Sequence, residues 1–407
     1  MPSLLTVGFL ETVIAVGAAI AAAALLATVC GRLLRDQAAT RRHRAERQVR
    51  RLVLPAIADG DVPGELITAR GARGRAAERV IFSYLAQVRG GAHDRLTEVL
   101  AQRGTVARVL AASHRRWRNR RARAAEKLGL IATAEAERRL AEMVSGERSL
   151  EVRIVATRSL GKSSRGPAAV ALLNSLSRPD PVPQGVVASA LLELGPEAVP
   201  ALREVVSGDG GGRRQRAMAA DVLGLLDDMP SWQQLADNVG AGNLEVRISA
   251  VRALGRLGVP HAAGPVIACL SPEEEPPLRA IAARALGSLG DPQAAPALGV
   301  CLSDPEYWVA HNSSEALAAL GPAGLAELER AADAGGSGAG HAREALARYA
   351  LAQGQLPARA TVHAAPPAAP AEAVPSSHGT RGRDGLWRSP RRLSGVSPGS
   401  ASSTSSC

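Results

Sequence analysis

From about residue 117 the chain repeats itself, and that repeat constrains the fold more than anything else in its 407 residues. With Gly129, Gly161, Gly195, Gly224, Gly255, Gly287 and Gly321 as marks, the spacings are 32, 34, 29, 31, 32 and 34. Leu stands one residue before every mark (Leu128, Leu160, Leu194, Leu223, Leu254, Leu286, Leu320), and Ala stands five before (Ala124, Ala156, Ala190, Ala219, Ala250, Ala282, Ala316). Arg stands eight before in five units: Arg121, Arg153, Arg216, Arg247 and Arg279. A period of this length means a stacked array, because one such unit has too little core to fold alone.

Each unit reads as a helix pair. The first helix ends at the Leu-Gly mark, where Gly is expected to supply a left-handed closing turn. The second carries an apolar i,i+4 stripe, such as Leu140/Val144, Leu172/Leu176 and Leu298/Leu302. In the units marked by Gly195 and Gly321 the stripe comes four residues early, at Leu202/Val206 and Leu328/Ala332. Pro260, Pro292 and Pro322 fall near the start of second helices, where a missing N–H costs little. Aromatics are only 2% of the chain, which suits close-packed Ala-rich helices and not a sheet sandwich.

Ahead of the array, Thr12 to Cys30 is a run of 19 residues without a charge, about 28 Å as a helix and so close to a bilayer core. Eight arginines follow within residues 32–51, among them Arg32, Arg35, Arg41, Arg42, Arg44 and Arg47. Residues 32–127 carry 23 Lys/Arg against 9 Asp/Glu, a net of +14, whereas 150–350 carry 17 against 22, a net of −5. The positive-inside rule then predicts a single-pass inner-membrane protein, its N-terminus outside and its bulk cytoplasmic, with the arginines near anionic headgroups. A cleaved signal peptide wants its positive charge before the apolar run. The expected organisation is a transmembrane helix (1–34), a basic juxtamembrane segment (35–51), a helical cap (52–116) broken at Pro55, the solenoid (117–350) and a disordered Pro/Ala/Ser/Arg-rich tail (351–407).

Asp291 to Pro305, with Val246-Arg247 and Leu254-Gly255, resembles the unit of HEAT repeats, particularly the short HEAT-like repeats first named from phycobilisome bilin lyases. The resemblance covers about 117–350. It implies an all-α, right-handed α-solenoid of about seven helix pairs, with the first helices lining the concave side. It also implies that Arg153, Arg247 and Arg279 are struts pairing with acidic residues of the adjoining turn.

Similar superfamilies include enzymes. HEAT-repeat deoxyhypusine hydroxylases use His-Glu dipeptides to hold iron, and none of the eight His here precedes a Glu. Bilin lyases share the repeat type, but the repeat alone does not carry their activity. An acidic array poor in aromatics argues against nucleic-acid binding. Cys30, Cys269, Cys301 and Cys407 form no metal-binding spacing, so no cofactor or metal is expected. The sharper positions lie three residues before the marks, where Arg158, Arg252 and Arg284 face the expected groove beside Glu126 and Asp221. These three are the candidate contacts with a protein partner of a non-catalytic, membrane-anchored scaffold. A bilin-lyase-like or other small-molecule enzyme is the alternative, and a nucleic-acid binder the third. The pair Tyr307-Trp308 is expected to pack under the C-terminal helix.

Overall fold

The structure is a computed structural model that describes residues 3–354 apart from 59, 61, 163–166 and 209–210. The expectation of disorder beyond residue 354 therefore lies outside the described residues. So do the side chains of Arg35 and of much of the first fifteen to twenty residues, which include part of the Thr12–Cys30 run.

The described residues are helical throughout, with no strand among them. Helix α1 runs from Ser3 to Ala58, about 84 Å at 1.5 Å per residue. It does not break at Pro55, as the sequence reading expected. Pro55 lies in the last turn, and the open carbonyls of the helix end are satisfied from outside: Arg95 donates to Ala56 O (3.0 Å) and Ile57 O (3.0 Å). The basic segment is thus a continuation of the apolar helix. Its end is anchored through buried Val49, Val53 and Ala56 against the cap helices α2 (Gly64–Thr68), α3 (Gly71–Leu85) and α4 (Gly91–Gln102), and α5 (Thr105–Ser113) leads from the cap to the array. Within the cap, Arg103 donates to four carbonyls, those of Leu66, Ile67, Ala69 and Gly74, and so closes the C-terminal end of α2.

Seven helix pairs follow, each an inner helix and an outer one: α6 (Arg118–Ile131) and α7 (Ala134–Gly146), α8 (Leu150–Gly161) and α9 (Pro167–Asn174), α10 (Gln184–Leu194) and α11 (Val199–Ser207), α12 (Arg213–Leu225) and α13 (Trp232–Val239), α14 (Leu244–Leu257) and α15 (Ala263–Ala268), α16 (Pro276–Leu289) and α17 (Ala295–Cys301), α18 (Tyr307–Ala319) and α19 (Pro322–Ala334). Helix α20 (Ala339–Ala352) closes the stack. Successive inner helices carry most of the packing between repeats, and the outer helices, most of them shorter, pack behind them.

Packing corrects the register read from the sequence. Gly129, Gly161, Gly224, Gly255 and Gly287 do not form left-handed turns; they lie inside or at the end of their helices. A Cβ on each would sit 2.7–2.9 Å from an atom of the next inner helix: Ser159, Ala190, Ala253, Ala285 and Ala316 in turn. They are glycines of close approach, and the facing residue must be small. The left-handed residue comes three positions later, at Ala132 (φ 48), Asp227 (φ 52), Gly258 (φ 63) and Gly290 (φ 71).

Gly195 (φ 63, ψ −137) and Gly321 (φ 68, ψ −140) stand at that second position, also with positive φ but with an extended ψ. Their units are therefore displaced by three, and the close-approach positions there are Leu192 and Ala318. The marks become 129, 161, 192, 224, 255, 287 and 318, with spacings of 32, 31, 32, 31, 32 and 31. The leucine column becomes Leu128, Leu160, Leu191, Leu223, Leu254, Leu286 and Leu317, every one 0% exposed. Outer-helix stripes that seemed four residues early are early by only one. At Leu192 the column holds a large side chain, and there α10 and α12 approach least closely of all consecutive inner helices.

The arginine column is a set of struts. Each of four arginines reaches the acidic residue of the turn that follows the next outer helix. Arg121 holds Glu147 (2.7 and 2.9 Å), and Arg153 holds Asp180 (2.7 Å). Arg247 holds Glu274 (2.7 and 2.6 Å), and Arg279 holds Asp304 (3.0 and 2.9 Å). Arg216 differs: among the described residues it donates to Gly211 O and meets no carboxylate. The pairs at Arg121, Arg247 and Arg279 are bidentate, which gives both strength and a defined orientation.

Candidate partner-binding groove

In the corrected register the position three before each mark is Glu126, Arg158, Ser189, Asp221, Arg252, Arg284 and Glu315. These residues form one row along the array, one per inner helix. Five are exposed; Asp221 and Arg252 are half-buried.

Those two are half-buried because they bind each other across neighbouring helices. Arg252 donates to both Asp221 oxygens at 3.0 and 3.1 Å, and Ser249 Oγ donates to Asp221 Oδ2 at 2.9 Å. Arg252 is therefore partly a strut. Arg256, one turn further along α14, reaches the same carboxylate at a marginal 3.5 Å.

Between α14 and α16 these side chains border a cleft of about 590 Å³. Arg252, Arg256 and Arg284 supply its charge, and Ile281 with the close-packed Gly255 and Ala285 supplies apolar wall; no acidic residue lines it. Arg284 is exposed and makes no ion pair among the described residues. The structure thus brings Arg252 and Arg284 together and leaves Arg158 three repeats away on α8, exposed and outside this cleft. Arg256 was missed in the sequence reading, although its i+4 spacing from Arg252 placed it on the same helix face.

Locally, then, an acidic array presents a positive cleft. The strut carboxylates are already neutralised: hydrogen bonds from Arg247 hold Glu274 below the ordinary carboxylate range. Burial would raise Glu147, but the Arg121 guanidinium together with backbone N–H donors at Ser149 and Arg148 keeps that carboxyl low.

At the far end, Tyr307 stacks on His311 (5.5 Å between rings) and meets His341 of α20 (5.5 Å), so it packs under the C-terminal helix. Its neighbour Trp308 stays exposed and meets only Tyr307 and His311 among the aromatic rings. Burial, then the nearby His311, pushes the His341 imidazole below its ordinary value. Among the described residues no three His, Cys, Asp or Glu side chains converge as a metal site would require. Cys269 and Cys301 are buried, and burial raises both thiols.

On α1, Arg32, Arg41, Arg42, Arg44 and Arg47 are exposed. Val16, Leu25, Leu26 and Val29 of the same helix are also exposed, at 53, 69, 65 and 49%. Among the described residues one stretch, Gln184–Ser207, is long and apolar enough to cross a membrane. It belongs to the solenoid core, as α10 and α11 joined by a 3-10 turn at Gly195, and a third of it is buried. On α1 the shorter apolar run Ala23–Arg32 is described.

A family model of HEAT repeats matches residues 232–318 and again 264–347. Among solved structures, human deoxyhypusine hydroxylase in complex with glycerol aligns at 21% identity over 68% of this chain and 96% of its own, with a TM-score of 0.28. The CpcE–CpcF complex of phycocyanin lyase from Nostoc sp. PCC7120 aligns at 20% over 60% and 94%, with a TM-score of 0.28. Kap121p bound to Pho4p aligns at 14% over 75% of this chain and 39% of its own, with a TM-score of 0.44. No protein of curated function matches the sequence.

Proposed function

Proceeding from a chain built of HEAT repeats, we propose that it is a membrane-anchored cytoplasmic scaffold whose concave face holds a segment of a protein partner. The observation that carries this reading is the cleft between α14 and α16. Three arginines converge there with no lining carboxylate, beside a narrow apolar wall. Planar guanidinium groups on a rigid helical frame suit bidentate capture of Asp or Glu side chains, and Ile281 adds an apolar contact for the residue between them. The partner segment is accordingly extended and acidic. Arg158 would meet the same segment further along the row, and Trp308 offers an exposed aromatic at the array's end.

The anchor reading rests on the exposed apolar side chains of α1 and on the arginines that follow them in the same helix. An isolated helix with bare Leu and Val side chains is unfavourable in water and favourable in hydrocarbon. No catalytic step is assigned.

The test is affinity capture of the full chain from detergent-solubilised membranes, with Arg256→Glu and Arg284→Glu compared against wild type. Arg284→Glu is the cleaner of the two, since Arg256 also reaches Asp221, at 3.5 Å, and Arg252→Glu would break the shorter Asp221 contact outright. Rim charge reversal is expected to reduce partner recovery and to make residual binding salt-insensitive. A partner recovered equally by both variants would remove the groove reading. Recovery of the whole chain in the soluble fraction would remove the anchor.

A further inference from the structure

We propose that α1 and α3 together form a binding site for the phosphate of an anionic membrane lipid; this rests on reading α1 as the anchor. A cleft of about 450 Å³ lies between the two helices. Arg41 and Arg42 of α1 border it on one side, Arg75 and Arg79 of α3 on the other, with Gln37 and otherwise only alanines. No carboxylate lines it. Arg79 is tied to Glu46 at 2.9 Å, but Arg41, Arg42 and Arg75 form no ion pair or hydrogen bond among the described residues.

Three unpaired guanidinium groups around one cleft repel each other, and an anion between them relieves that repulsion. The arrangement is more than a charged helix surface, because a second helix contributes half of it. Helix α3 is held on α1 through buried Val49 and Val53 on one side and buried Ala76, Ala77 and Val80 on the other. The arginines of α3 are therefore presented from a packed frame.

Guanidinium forks match the oxygens of a phosphodiester bidentately, which favours phosphate over a compact monovalent anion. Depth identifies the source. Gln37 and Arg42 lie three and eight residues beyond Leu34, about 5 and 12 Å along the helix axis. For an anchor ending near residue 34, Gln37 is at headgroup depth and Arg42 lies about 5 Å beyond the headgroup layer, within about one Debye length of the charged surface.

The experiment uses the full chain purified in a neutral detergent. Native mass spectrometry and calorimetry would measure binding of dioctanoyl phosphatidylglycerol, dioctanoyl phosphatidylcholine and inorganic phosphate. Two double variants each remove two positive charges: Arg42→Gln/Arg75→Gln inside the cleft, and Arg70→Gln/Arg73→Gln, exposed at the start of α3, outside it. The anionic lipid is expected to bind in preference to the other two probes. The cleft variant should weaken it roughly 30-fold, at about a factor of five per arginine, and the outer variant should leave it unchanged. Equal loss in both variants would reduce the site to diffuse charge and overturn it. Equal binding of phosphatidylcholine, or of inorganic phosphate, would overturn the assignment to an anionic lipid. Fractionation of cell membranes tests the anchor separately, since a soluble chain that still shows the cleft-specific loss would fail that reading alone.

Discussion

Replacing a close-approach glycine with alanine separates the two roles that glycine plays in this array. At Gly224 a Cβ would stand 2.7 Å from Ala253 Cα and 2.8 Å from its Cβ. Carbon atoms rest at about 3.5–4.0 Å, so α12 and α14 must part by roughly 1 Å or the side chain must strain. Overpacking of this kind costs about 1–3 kcal/mol, and two contacts on a neighbouring helix put it in the upper half of that range. Removing glycine from a helix returns about 1 kcal/mol. The net expectation for Gly224→Ala is a loss of about 1–2 kcal/mol.

Gly264 of α15 and Gly340 of α20 have nothing within 4 Å of a Cβ position. There the same substitution should stabilise by up to about 1 kcal/mol. At Gly258 and Gly290 the cost comes from the left-handed backbone, at about 1 kcal/mol, and it should not grow with side-chain size. At Gly224 it should grow steeply from Ala to Val. Guanidinium unfolding of the full chain in detergent, followed by far-UV circular dichroism, reads these differences. Equal effects at Gly224, Gly258 and Gly264, or a Gly224 series flat in side-chain volume, would refute the register.

Three further outcomes follow from the same contacts. Arg279→Ala leaves Asp304 buried and unpaired, their side chains being 7% and 10% exposed, and should cost about 3 kcal/mol in the same assay, whereas exposed Arg256→Ala should stay within about 0.5 kcal/mol. Glu147, Asp228 and Glu274 are held below their ordinary pKa by arginine partners, so their contribution is complete at neutral pH and is lost as pH falls through the lowered pKa of each; Glu274→Gln should lower neutral stability and flatten that acid limb. Cys269 and Cys301 should resist a thiol reagent in the folded protein and react after unfolding, because both are buried with raised thiol pKa; prompt labelling of either in the native state would contradict the packing.

Much of the architecture was legible because its signals are local. The leucine column, the inner-helix alanines and the second-helix prolines each need only a count along the chain. The register of two units was not, because Gly195 and Gly321 follow Leu just as the packing glycines do. Leu191 and Leu194 are three apart, as are Leu317 and Leu320, so either register fills the leucine column. Only the backbone distance between helices tells a glycine that admits a neighbour from one that turns the chain. The irregular spacings of 34 and 29 were the available clue. The same limit applies at the site. Arg158, Arg252 and Arg284 look equivalent in sequence, and the contact that engages Arg252 with Asp221 spans 31 residues. The strut arginines were easier, since their regular column at eight before the mark distinguished them from scattered surface charge.

The exception at Leu192 has a mechanical consequence. Joints in series share a load but not a deformation; the softest joint takes most of the movement. Inner helices locked glycine-on-alanine behave as stiff couplings, and the looser α10–α12 joint is the compliant one. When the solenoid bends, the helices before α10 should travel as one block with the α1 rod, and those after it as another carrying the arginine cleft. Residue 192 thereby sets how freely the groove swings relative to the end of the chain that bears the apolar helix.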